Sequence, residues 1–159
     1  MKFYKDNIIP ADNTIFVFGS NPRGINGNPN KGTGGAALQA VLHFGVGRFE
    51  VMNNRISDSG KAYGLVTVQG PGMRKSLSKQ QIIDNIRILY STAESLPGMN
   101  FMIAYRNTYK TSLNGYTGFE MMKMFIDAGN IPDNIFFSSE WEKYMKDDCL
   151  KSAPLFDKL

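Results

Sequence analysis

Few side chains in this 159-residue chain could do covalent chemistry. It has one histidine, His43, and one cysteine, Cys149. That count argues against a Cys/His zinc site, a Ser-His-Asp triad in its usual form and an internal disulfide framework. Cys149 follows Asp147-Asp148, whose charge disfavours the reactive thiolate. His43 sits beside Phe44 and Gly45 on a segment of helical composition, away from loops that could supply partners. What remains is backbone and carboxamide chemistry. Phe18-Gly19-Ser20-Asn21, then Lys31-Gly32-Thr33-Gly34-Gly35-Ala36-Ala37, runs a glycine-rich loop onto a helix start. Unpaired N–H groups and the positive end of the helix dipole make such a place an anion site. A loop that needs glycines only for its turns has the same composition. The spacing fits neither a P-loop nor the Rossmann fingerprint.

Asn21 falls just past a predicted strand end. Its amide could hold a ribose hydroxyl or orient a water, but it is no general base; an Asn there also serves as a turn residue. Asn114-Gly115-Tyr116-Thr117-Gly118 is a second candidate phosphate cradle. Tyr116 could cover a sugar or base, or simply pack. Glycine makes up 16 of the 159 residues, about 10% against a usual ~7%. Eight of these lie between Gly19 and Gly47.

The elements that must position these residues read as alternating strands and helices. Thr14–Phe18 is β-branched and aromatic and reads as a buried strand. A helix is predicted from Gly34 to Phe44 with Leu38, Val41 and Leu42 on its inner face. Tyr63–Val68 is the next strand, stopped by Gly70-Pro71-Gly72. Ser78 caps a helix from Lys79 to about Leu96, with Ile82, Ile86, Leu89 and Ala93 as its buried stripe. Phe101–Tyr105, a helix over 117–128 and a strand at Asn134–Phe137 follow, then a short helix starting near Ser139, with Trp141 packing it down. The alternation predicts an α/β fold with a mostly parallel sheet, three layers deep, in a single domain over 1–159. Ligands of such sheets bind outside the carboxyl ends of the strands. That rule selects Gly19–Ala36, Gln69–Arg74 with Gly70, and Arg106–Thr117.

Charge is uneven. Residues 1–110 carry +7 and residues 111–159 carry −3. The basic part would attract phosphate-bearing partners, either a small anionic ligand or nucleic acid through Lys31, Arg48, Arg55, Arg74 and Lys75. No apolar run nears the roughly 18–20 residues that span a bilayer, and Met1–Asp6 lacks a signal-peptide core, so a cytoplasmic protein without membrane partners is expected.

Ile15-Phe16-Val17-Phe18-Gly19-Ser20-Asn21, Gly34-Gly35-Ala36-Ala37 with Phe44-Gly45, and Ala62-Tyr63-Gly64-Leu65-Val66-Thr67 resemble macro-domain-like proteins of large tailed phages and bacteria. Leu113-Asn114-Gly115-Tyr116-Thr117, Met124-Phe125, Asn134-Ile135 and Trp141 continue the pattern, so the resemblance covers about residues 14–142. It implies a macro domain, a mixed sheet between helices with a cleft for ADP-ribose. Members bind ADP-ribose, or hydrolyse ADP-ribose 1″-phosphate or ADP-ribosyl esters. The resemblance puts Asn21 near the distal ribose as the catalytic side chain. It puts Gly34, Gly35 and Ala36, with Gly19, Ser20, Gly32 and Thr33, around one diphosphate loop, and Gly115, Tyr116 and Thr117 in the second. Lys5-Asp6-Asn7-Ile8 is similar to the family's Gly-Asp-Ile-Thr, whose acid contacts the adenine amine. No cofactor or metal is implied. The chain departs from the family at Pro22–Lys31, a longer and more polar insertion, at Val68-Gln69-Gly70 and at Ser112-Leu113-Asn114. These departures bear on catalysis more than on binding.

Overall fold

The computed structural model describes residues 1–5 and 8–146; Asp6, Asp147, Asp148 and Cys149 lie outside them. Six strands form one sheet: β1 (Lys2–Tyr4), β2 (Thr14–Ser20), β3 (Arg55–Ile56), β4 (Ala62–Val66), β5 (Asn100–Ile103) and β6 (Ile135–Ser138). Their order is β1-β6-β5-β2-β4-β3, and only the β3–β4 pair is antiparallel. The helices are α1 (Gly35–His43), α2 (Lys79–Ser95), α3 (Gly118–Asp127) and the short α4 (Glu142–Met145), preceded by a 3₁₀ turn at Ser139–Trp141. Two of the strands, β1 and β3, are additions to the predicted order. Both are edge strands of two or three residues, too short to show periodicity in the sequence.

The alternation of β2 builds the two faces. Ile15 and Val17 join the larger core under α2 and α3, while Phe16 and Phe18 face α1. The inner face of α1 differs from the predicted one. Ala40 is its fully buried residue, Ala36, Ala37 and Val41 pack beside it, and Leu42 is half exposed. Small side chains let the helix settle onto a bulky strand, and Phe44, just past its end, stacks on Phe16 with centroids 4.5 Å apart. On the other face, Ile82, Ile86, Leu89 and Ala93 of α2 are all buried, as their spacing requires. Helices α2 and α3 each open with a capping box, Ser78 with Gln81 and Thr117 with Glu120. No described helix is long and apolar enough to cross a membrane.

Several tyrosines pack in or against the core of this fold. Burial pushes Tyr4, Tyr63 and Tyr105 up to about 12. A group that binds its proton more tightly when folded stabilises the fold fully below its unfolded value, near 10, and loses that contribution as pH rises through the folded value. Urea midpoints are therefore expected to hold up to about pH 9 and to fall between about pH 10 and 12. A midpoint unchanged at pH 11 would show that these hydroxyls are solvated.

Candidate functional site

Strands β2, β4 and β5 run parallel, so their carboxyl ends meet on one edge, where a cleft of about 720 Å³ opens. Its floor is Gly19, Thr67 and Tyr105, one from each strand end. A Cβ at Gly19 would collide with the Tyr105 hydroxyl and come within 3.1 Å of Thr67 Oγ1, so only glycine lets the tyrosine lie across the floor. The Tyr105 hydroxyl reaches Thr67 Oγ1 at 3.4 Å. Its proton is directed at that threonine, so the two hydroxyls form one polar pair at the floor of the cleft.

One wall is the β2–α1 connection, long and polar in the sequence and folded in the structure. Asn21 Oδ1 accepts from the N–H groups of Arg23 (3.1 Å) and Ile25 (3.3 Å), and its Nδ2 donates to Ile25 O at 2.8 Å. Asn28 and Thr33 pair as an antiparallel bridge, with Asn28 N–H donating to Thr33 O at 2.8 Å. Gly27 lies directly on the backbone of Leu38, pressing the loop against the first turn of α1. Gly34, at φ 118°, turns the chain into the helix, and no side chain caps that first turn. Gly34, Gly35 and Ala36 therefore present an uncapped helix start to the cleft, an arrangement that favours anions.

The facing wall comes from Thr111 to Asn114, which overlaps the predicted cradle Asn114–Gly118 only at its first residue. The amides of Gly115, Tyr116 and Thr117 are all committed inside the protein: to Ser112 O at 2.9 Å, Asn114 Oδ1 at 3.0 Å and Glu120 Oε1 at 3.0 Å. Tyr116 is buried and donates its hydroxyl to Leu77 O at 2.8 Å, fastening this loop to the start of α2. Those three residues shape the wall and do not line the cleft, so this expectation is corrected. Gly32 and Gly70 also lie off the lining, whereas Gly19, Ser20, Asn21, Thr33, Gly34, Gly35 and Ala36 are on it. Asn21, expected to position a water, has its oxygen and one N–H engaged in its own loop, which leaves a single N–H free. The expected adenine contact, Asp6, falls outside the described residues. His43 is exposed at the far end of α1.

Lys31, Arg48 and Arg74, which the sequence marks among its basic residues, and Arg106, from a loop that the strand-end rule selects, all line the cleft; the sequence does not reveal that no described lining residue is a carboxylate. Buried polar atoms without a hydrogen-bond partner also gather here: Ser20 Oγ, Asn26 Oδ1 and Ser112 Oγ all belong to lining residues. Such atoms are rare in folded proteins and mark places where a water or a ligand completes the bonding. No protein family, curated protein or solved structure matches the chain.

Proposed function

We propose that this protein is a macro-domain-like module that binds an ADP-ribose-type nucleotide in the cleft and holds it without turnover. One observation carries the reading. Four cationic side chains and an uncapped helix start converge on a cleft at the carboxyl ends of three parallel strands, with no carboxylate among its described lining residues. A diphosphate matches that field, and the volume lies within the range of about 300–1,000 Å³ usual for small-molecule sites. The mixed sheet between helix layers is also what the resemblance implies.

The lining chemistry supports binding without turnover. No described lining residue is Asp, Glu, His or Cys, and Asn21 is largely engaged in its own loop. Hydrolysis would have to draw its base from the substrate's own phosphate. The nucleic-acid reading is weaker, because the basic residues do not form one open face. Lys31, Arg48 and Arg74 share the cleft, whereas Arg55 pairs with Asp58 at 3.5 Å and Lys75 lies over the Tyr116 ring.

ADP-ribose at about a hundred times its Kd should raise the melting temperature by roughly 5–10 °C, the shift expected for about 2.7 kcal/mol of linkage. No shift at millimolar ligand would end the reading. Incubation with ADP-ribose 1″-phosphate is expected to release no phosphate over hours. Release that Asn21→Ala abolishes would replace the binding role with a catalytic one.

A further inference from the structure

The nucleotide reading leaves one ring beside the cleft, Phe49, without a role. Phe49 is 67% exposed, and the Arg48 guanidinium lies over its ring, 4.8 Å from the centroid. Arg48 itself lines the cleft. The pair stands on a tight turn held from both sides. Glu50 N–H donates to Gly47 O at 3.0 Å, and the Glu50 carboxylate accepts from the N–H groups of Gly47 (3.0 Å) and Asp58 (2.8 Å). From the cleft wall, Asn26 N–H donates to Arg48 O at 2.8 Å, and Asn26 Nδ2 donates to Gly47 O (2.7 Å) and Glu50 O (3.1 Å). The turn is thus fixed relative to the cleft.

The other strongly exposed aromatic among the described residues, Tyr109, lies off the cleft and packs edge-on against Phe119 at 4.9 Å. Among the described residues Phe49 has no such ring partner and gains only the guanidinium. A rigidly held, exposed ring beside a cation loses little freedom when a flat group stacks on it, and a guanidinium on a ring still offers its other plane. Exposed Ile25 and Val51 add apolar surface to this side, and Ile25 is itself a lining residue.

We propose that Phe49, with the Arg48 guanidinium on its ring, forms a stacking subsite for the planar base of the bound nucleotide at the rim of the cationic cleft, on the side of the Asn21–Asn26 loop and not at the Asp6 contact that the resemblance implies. The subsite rests on the nucleotide reading above and deepens it: the ligand is a nucleotide with its base, not merely a phosphate or a phosphosugar.

Calorimetry with two probes, ADP-ribose and inorganic pyrophosphate, separates the possibilities. Phe49→Ala is expected to weaken ADP-ribose roughly 5- to 100-fold, the range for losing one base–aromatic stack, and to leave pyrophosphate affinity unchanged. Phe49→Trp should restore ADP-ribose binding. Because Phe49 is exposed, the melting temperature of each variant should stay at the wild-type value, which checks that the fold is intact. Wild-type ADP-ribose affinity in Phe49→Ala would overturn the subsite and leave the cleft reading standing. Equal loss of both probes would overturn it as well, since Phe49 would then shape the cleft instead of reading a base. If neither probe binds the wild-type protein, the nucleotide reading fails and the subsite fails with it.

Discussion

Trp141→Ala is expected to destabilise the protein by about 3–5 kcal/mol, within the range for removing a fully buried aromatic side chain. Trp141 is fully buried, stacks on Phe137 at 6.0 Å and tilts against Phe125 at 6.1 Å. Its Nε1–H also donates to Asn107 O at 2.8 Å. Truncation would therefore open a cavity beneath β5 and β6 and leave a carbonyl of the β5–α3 connection without its donor. Against a typical domain stability of about 5–15 kcal/mol, that loss would move the urea midpoint far down. Trp141→Phe keeps most of the packing and removes the hydrogen bond, so it should cost only about 1 kcal/mol. The contrast separates packing from tethering. If both variants unfold at the wild-type midpoint, Trp141 does not anchor this layer.

The same residue shows what the sequence carries. The four predicted strands exist, with ends shifted by one or two residues, and the α2 stripe and the Ser78 cap are as their spacing requires. Periodicity and capping are local, so they can be read from neighbours along the chain. The edge on which a ligand would sit followed from strand direction alone. What stayed hidden is long-range. Tyr105 reads as the last residue of a strand, yet it lies just past β5 and becomes the cleft floor because Gly19, 86 positions earlier, has no side chain. Arg74 and Arg106 fall in loops that the strand-end rule selects, but Arg48 falls in none of them, and it reaches the cleft because Asn26 bonds the carbonyls of residues 47, 48 and 50. The second cradle was misplaced by a few residues for a related reason. Gly115-Tyr116-Thr117 has the composition of a ligand loop, but Thr117 and Glu120 already form a capping box, and that box takes up the amide the loop would have offered. The S/T-x-x-E spacing at Thr117 was a signal that could have found this.

Gly27→Ala is expected to disable the cleft through the loop that walls it. A Cβ there would run into the Cα and N atoms of Leu38, which are helix backbone and cannot swing aside as a side-chain tip would. The loop from Asn21 to Thr33 would have to lift away from the first turn of α1, straining the Asn28–Thr33 bridge and moving Asn26 from its carbonyl partners at residues 47 and 50. Overpacking of this kind costs about 1–3 kcal/mol. The larger effect should be on binding, because the helix start, Lys31 and the turn bearing Arg48 take their relative positions from that contact. ADP-ribose affinity is expected to fall at least about tenfold, since one well-placed charge-assisted hydrogen bond is already worth about 1.5–3 kcal/mol. Gly98→Ala is the matched control: no atom lies within 4 Å of its added Cβ, and it sits in the turn after α2, away from the cleft. Calorimetry and melting of both variants decide the matter. Wild-type affinity in Gly27→Ala would mean that the loop can leave α1 without disturbing the ligand, and the β2–α1 connection would then be no wall of the site.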